Sequence, residues 1–143
     1  MPKMSERCPL FPIGMDITPE QINSCVNVVS GKVTYDGGAT QNIAIIPAGS
    51  LVLDVICNVT EAFNGTGATL DIGDSDPVRF LASSDITPAS VGISRSSGTS
   101  AAGAKGHIYA TSTTIKATVG AGSPANTNTK GKATVYIVYA MPR

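Results

Sequence analysis

The 143-residue sequence contains no tryptophan, a single histidine, and only 5% aromatic residues. Few rings are therefore available to stack on a sugar or on the bases of a nucleic acid, and the basic residues are scattered rather than clustered. A Ser-His-Asp site would have to use His107, but the chain has no Gly-x-Ser-x-Gly elbow and His107 opens a predicted strand. The sequence thus predicts a protein that is not an enzyme, takes no cofactor and binds no nucleic acid.

Charge is scarce as well. Charged residues make up 14% of the chain, against about 25% in typical globular proteins. The formal net charge is zero, with ten basic and ten acidic residues, while hydrophobic residues reach 42% and glycine numbers 15. A surface of small neutral groups is typical of a β-sandwich, or of a protein whose surface neighbours cover. The length fits one domain with a substantial core.

Signals for export and for membranes are also missing. The N-terminus has no continuous apolar segment of the signal-peptide type, and no apolar run approaches about 18 residues. The three cysteines, Cys8, Cys25 and Cys57, have neither CxxC nor metal-site spacing. We expect synthesis in a reducing cytoplasm, no membrane partner, and Cys57 as a small core residue.

What the chain does have is β-strand periodicity with turn residues between the strands. Residues 51–60 alternate with a period of two and are followed by Asn64-Gly65 and a shorter alternating run, which predicts a hairpin over residues 51–76. Asp36-Gly37-Gly38 predicts a second hairpin turn. Pro47-Ala48-Gly49 predicts a corner at which the chain crosses from one sheet to another.

The later part of the chain continues this pattern. Residues 82–106 predict a long loop, with a short edge strand around 91–93 as the alternative. The final strand, KATVYIVYA, is apolar on both of its faces, which predicts a place in the middle of a sheet or at a subunit boundary. About eight strands and no amphipathic helix predict an all-β fold, a single-domain, jelly-roll-like β-sandwich over residues 26–143.

Residues 1–25 predict a separate, extended N-terminal arm. Its four prolines disfavour both helix and central strand, yet the arm carries large apolar side chains. Such a segment either packs across its own domain or docks on a partner. For the second alternative, the predicted contact residues of the arm are Pro9, Leu10, Phe11, Pro12, Ile13 and Met15.

The charges are divided along the chain. Residues 36–85 hold seven acids and one base, whereas residues 86–143 hold six bases and no acid. Either these charges pair within one domain, or an acidic edge of one subunit meets a basic edge of the next. The second alternative predicts an interface seam formed by Asp54, Asp71, Asp74, Asp76, Lys116, Lys130 and Lys132.

Three of these acids lie close together in sequence and suggest a second kind of site. Asp71, Asp74 and Asp76 resemble part of a calcium loop, but the closing Glu of an EF-hand is missing. The alternative is a polar turn whose carboxylates cap backbone amides. On the first alternative the protein is a ligand-binding sandwich, for example a calcium-dependent sugar binder; on the second no metal is bound.

Two runs of the sequence, IPAGSLVLDVICNVTEAFNGTGATLDIGDSD at residues 46–76 and GKATVYIVYAMPR at residues 131–143, resemble small virion proteins of tailed bacteriophages. These are the capsid decoration (cement) and head-fibre proteins, and the resemblance covers residues 26–143. It implies a sandwich subunit that forms a homotrimer on the outside of the virion and clamps major capsid protein subunits together. It also implies that the N-terminal segment runs along the shell or a sister subunit. A head-fibre or tail component is the alternative.

Overall fold

The computed structural model describes residues 24–95, 106–121 and 127–142 of the chain. Within these ranges the regular secondary structure consists of eight strands. Their bounds are β1 Ser24–Thr34, β2 Thr40–Ile46, β3 Leu51–Glu61, β4 Ala68–Gly73, β5 Gly92–Arg95, β6 His107–Ile108, β7 Thr113–Ala121 and β8 Lys132–Pro142. No helix of the described residues is long and apolar enough to cross a membrane.

The strands form two antiparallel sheets packed face to face. The larger sheet has the order β1-β8-β3-β5, with β6 also paired to β3, and the smaller sheet has the order β2-β7-β4. The first strand pairs with the last and the second with the seventh, so the chain wraps around itself as in a jelly roll. The predicted all-β, jelly-roll-like sandwich is confirmed.

The predicted hairpin over residues 51–76 is wrong. β3 lies in the larger sheet beside β8, whereas β4 lies in the smaller sheet beside β7. Phe63 is buried between the sheets, and the Asn64 carboxamide oxygen accepts hydrogen bonds from the backbone amides of Thr129 (2.8 Å) and Lys130 (2.9 Å). These contacts carry residues 62–67 across to the opposite sheet, and Gly67 takes the positive φ of 67° that this turn requires.

The turn at Asp36-Gly37-Gly38 shows the same departure from prediction. It connects β1 to β2, but these strands lie in opposite sheets and do not form a hairpin. The two sheets come very close between β1 and β2. A Cβ placed on Gly31 of β1 would lie 2.6 Å from the carbonyl oxygen of Ile43 in β2. The predicted corner at Pro47-Ala48-Gly49 is confirmed, since it joins β2 of the smaller sheet to β3 of the larger one.

The core fills the space between the two inner faces. β3 alternates buried and more exposed positions except at a bulge between Val52 and Asp54, which shifts the phase so that Val52 and Val55 are both buried and Leu53 is exposed. Cys57 belongs to this core with no exposed surface, and burial raises the pKa of its thiol to about 12. The fully buried larger side chains include Phe63, Phe80, Ile46, Leu70, Ile72, Leu81, Ile115 and Ile137.

The last strand occupies the predicted central position. β8 is hydrogen-bonded to β1 on one side and to β3 on the other. Ala133, Val135 and Ile137 point into the core, whereas Tyr136 on the opposite face keeps 37% of its surface exposed. The short edge strand anticipated around residues 91–93 is also present as β5.

Candidate interaction surfaces

A buried carboxylate organises the turn that follows β4. Asp74 is 7% exposed, and its Oδ2 accepts hydrogen bonds from the Tyr109 hydroxyl (2.6 Å) and from Arg79 Nε (2.6 Å). Its Oδ1 accepts a third from the backbone amide of Asp76 (2.8 Å). The Tyr109 ring also meets His107 edge-on, with 4.5 Å between ring centroids. Asp74 therefore ties the acidic turn to the segment that carries β6.

The electrostatics of this cluster are those of a structural ion pair. Burial alone raises the pKa of Asp74, but the bonds from Tyr109, the Asp76 amide and Arg79 outweigh burial and hold that pKa below its usual value. Burial and the bond to Asp74 raise the pKa of the Tyr109 hydroxyl far above its ordinary range. The Arg79 guanidinium is likewise held in its charged form, chiefly by its bond to Asp74. A permanently ionised, fully paired group has no proton to exchange near neutral pH.

The other two acids of the turn also bond to nearby backbone. Asp71 Oδ1 accepts from the Ser83 amide (2.6 Å), and Asp76 Oδ1 accepts from the Val78 amide (3.3 Å). Among the described residues, no group of three or more His, Cys, Asp or Glu side chains is arranged to hold a metal ion. The geometry is that of a polar turn whose carboxylates cap backbone amides, and it gives the calcium-loop interpretation of Asp71, Asp74 and Asp76 no support.

The remaining acids and bases of the predicted seam divide into two groups. Asp54, 9% exposed, forms an ion pair with Arg95 of β5, whose Nε lies 3.2 Å from Asp54 Oδ2. Lys132 lies 3.8 Å from Glu61, with both side chains largely in solvent. Asp54 and Asp74 thus have partners within their own chain. For these two acids the structure agrees with the first alternative, in which the charges pair within one domain.

Other members of the seam are exposed. Lys116 projects from β7, in register with Asn42 of β2 and Gly73 of β4, and Lys130 lies in the turn before β8. Lys116 is therefore on the smaller sheet, while Lys130 and Lys132 are at the end of the larger sheet where β8 begins. An intersubunit seam that uses these lysines stays a prediction. The predicted arm contacts, Pro9 to Met15, lie outside the described residues.

A feature that sequence reasoning did not single out is the outer face of the larger sheet, meaning the face turned away from the core. The strand register places its outward side chains in rows that run across the sheet. Three neighbouring rows at one end are mostly apolar. They are Val26, Ala140, Leu51 and Ile108; Val28, Val138 and Asp54; and Ser30, Tyr136, Ile56 and Arg95.

The rows at the other end of the outer face are polar. Lys32, Thr134 and Asn58 form one, continued by Ile93 of β5, and Thr34, Lys132 and Glu61 form the next. The apolar end is strongly exposed, with 57% of Val26, 63% of Val28 and 65% of Ile108 accessible. The signal available in the sequence was that both faces of KATVYIVYA are apolar. An exposed apolar surface of this kind marks an interaction site.

A surface hollow of about 220 Å³ lies beside β5. It is lined by Val59, Thr87, Ser90, Val91, Gly92, Ile93 and Ser94. Its polar groups are hydroxyls and backbone, without a titratable side chain in the lining. A catalytic base or nucleophile pair would need such side chains within hydrogen-bond reach of one another. The lining of this hollow does not contain such a pair.

Comparison with known proteins gives a fold relationship. No protein-family model matches the chain, and no curated protein matches its sequence. Three solved phage capsids contain chains of the same fold. In the cyanophage Pam1 capsid asymmetric unit, the similar chain has a TM-score of 0.65 at 20% identity, with 96% of each chain covered.

The other two structures are equally remote in sequence. The acidic stable capsid structure of Helicobacter pylori bacteriophage KHP30 gives a TM-score of 0.62 at 18% identity, covering 82% of this chain and 89% of the other. The capsid of Ralstonia phage GP4 gives 0.52 at 15% identity, covering 94% and 91%. At these identities the likeness establishes the fold, and the sandwich is one that chains of phage capsids also adopt.

Proposed function

We propose that the protein is a structural component of a bacteriophage virion that acts by binding alone. The observation that carries this proposal is the full-length match to a chain of the Pam1 capsid, 96% of each chain, repeated in two further phage capsids. The described residues support it, because their buried carboxylate is locked in a structural ion pair and a large sheet face is apolar and uncovered.

More specifically, the protein is a decoration (cement) protein of the capsid exterior, made in the host cytoplasm and added to a shell of major capsid protein. It forms a homotrimer, and each copy contributes a footprint to neighbouring capsid subunits. A footprint of about 800 Å² per partner, repeated around a threefold axis, resists separation through multivalency. A low fraction of charged residues and a net charge of zero suit a protein that is stable in an assembly with other subunits. Residues Pro9 to Met15 of the arm contact the shell or a sister subunit.

The test uses purified capsid shells that lack this protein. We expect the full chain to co-sediment with the shells at saturating stoichiometry and to raise the temperature at which they rupture. A chain without residues 1–20 should stay folded, because the strands begin at Ser24, and should lose shell binding. If the full chain does not bind shells, the cement role is wrong. If the shortened chain binds equally well, the role of the arm is wrong.

Localisation on intact virions separates the alternatives within structural proteins. Gold-labelled antibody against the protein should decorate the head evenly. Label confined to the tail or to isolated fibres would favour a tail or head-fibre component instead.

A further inference from the structure

We infer that the outer face of the larger sheet is the surface through which copies of this chain associate with one another. The inference rests on the proposed homotrimer and names the surface that forms it. Its apolar end contains exposed Val26, Val28 and Ile108 around Tyr136 and Val138, whereas its polar end carries Lys32 and Lys132. An exposed apolar patch with polar residues beside it is typical of a protein–protein interaction site.

The size of the face fits such an interface. Its long strands, β1, β3 and β8, each have 11 residues, and β5 and β6 share a fourth position at the edge. Three strands of eleven residues and a fourth position with six residues, at about 3.3 Å per residue and about 4.8 Å between strands, give a face of roughly 600 Å². A stable interface takes about 800 Å² from each partner. The face therefore offers from each copy close to the area of one such interface, shared between its two neighbours in the trimer.

The charges on the face fit a second copy better than a partner of opposite charge. At the apolar end the charged side chains are Asp54 and Arg95, and these form an ion pair with each other. When two copies associate through this end, no unpaired charge of one copy faces a charge of the same sign on the other. An apolar end with no net charge offers nothing for electrostatic recognition of a charged partner, whereas interfaces between identical subunits are the more apolar class.

The edge of the sheet strengthens the same conclusion. β1 pairs with β8 over eleven residues without a bulge, and in the described residues its other edge is not hydrogen-bonded to a strand. Long edge strands are normally protected by proline, by charges or by bulges. β1 has no proline and a single charge, Lys32. Around a threefold axis each contact joins two different patches of the chain, so the apolar rows of one copy meet the β1 edge of the next.

The experiment compares two glutamate substitutions at equally exposed valine and isoleucine positions. Val28 lies on the outer face and is 63% exposed, and Ile45 lies on β2 of the smaller sheet and is 66% exposed. Sedimentation of the full chain at micromolar concentration should give a trimer. Val28→Glu should weaken its association at least tenfold, and Ile45→Glu should leave it unchanged. Val28→Thr keeps a β-branched side chain and should weaken the association less than Val28→Glu does. It replaces Val28→Glu in the experiment if that variant does not fold.

Salt provides a second measurement, independent of any variant. An interface built on apolar rows should be unchanged or tighter between 0.1 M and 1 M sodium chloride, whereas a charge seam should weaken because salt screens exposed pairs. Retention of the trimer by Val28→Glu and Val28→Thr would overturn the inference, as would equal loss with Ile45→Glu or dissociation of the trimer in high salt.

The shell-binding assay distinguishes this inference from the proposed function. A wild-type chain that binds shells as a monomer refutes the interface and leaves the cement role in place. A trimer that depends on Val28 but does not bind shells refutes the cement role and leaves the interface in place.

Discussion

Removing one hydroxyl group tests whether Asp74 is a structural anchor. Tyr109→Phe deletes the donor that lies 2.6 Å from Asp74 Oδ2 and leaves the aromatic ring between Phe80 and His107. The substitution adds no volume and opens no cavity, so the change in free energy of unfolding reports on the hydrogen bond.

The expected loss in free energy of unfolding depends on the hydrogen bonds that Asp74 keeps in the variant. A hydrogen bond to a charged group contributes about 1.5–3 kcal/mol. Arg79 and the Asp76 amide still bond the carboxylate in the variant, so it is not left without a partner. We therefore expect a loss near the lower end, about 1.5–2 kcal/mol. For a chain of this length, that corresponds to a decrease of roughly 3–8 °C in Tm.

The loss should depend on pH in a defined direction. The folded-state pKa of Asp74 is below its ordinary value, so its stabilising contribution is present above the unfolded-state pKa and disappears as pH falls through the folded-state pKa. Without the Tyr109 donor, one of the hydrogen bonds that lower the pKa of Asp74 is lost, so that pKa is higher in the variant than in the wild type. The variant should therefore lose stability at a higher pH than the wild type on acidification, and the difference between them should shrink once Asp74 is protonated in both.

Urea unfolding followed by circular dichroism at pH 7, 5 and 3 measures these differences. Tyr139→Phe is the matched control, because in the described part of the chain the Tyr139 hydroxyl makes no hydrogen bond. A loss below about 0.5 kcal/mol in Tyr109→Phe at pH 7 would refute the assignment of Asp74 as an ionised anchor.

Two further substitutions test the packing and the acidic turn. Gly31→Ala should cost about 1–3 kcal/mol, because the new methyl group meets the Ile43 backbone, whereas Gly92→Ala, with nothing within 4 Å of its Cβ, should change stability by less than about 0.5 kcal/mol. Equal effects in thermal melts would mean that the sheets are not in contact at Gly31. Burial raises the pKa of Asp71, so its charged form costs stability at neutral pH, and Asp71→Asn, which keeps an acceptor for the Ser83 amide, should be at least as stable as wild type at pH 7. A clear loss at pH 7 in urea titrations would contradict this sign.

The strands were predictable because their signal is local. A period of two places Val55 and Cys57 on the inner face whatever the strand pairs with, and the structure buries both. The Pro47 corner followed from local turn chemistry, whereas the edge strand β5 was only the alternative to a long loop over residues 82–106. The pairing of strands was not predictable from Asn64-Gly65, because a turn residue indicates that the chain changes direction but not which sheet it enters. That choice is made by contacts between Asn64 and residues about 65 positions further on.

The candidate surface was harder to predict for a related reason. Alternation identifies an inner face only when the other face is polar, and in β8 both faces are apolar. The outward row that contains Tyr136 becomes visible only after β1 and β3 are placed on either side of it. Likewise, Asp54 is one acid among seven in its part of the sequence until the fold brings Arg95, 41 residues away, next to it.

The Asp54–Arg95 ion pair lies among the apolar rows of the outer face. It therefore bears on both kinds of predicted contact, a charged seam and an apolar interface. In the single chain the Arg95 side chain is 64% exposed, so water screens the pair and its contribution is small. If a sister subunit covers the outer face, the pair loses that water, and desolvation offsets much of the attraction between its charges. The apolar rows must then supply most of the affinity. The ion pair stays within each copy wherever the neighbouring copy is placed, so it adds no attraction between the copies.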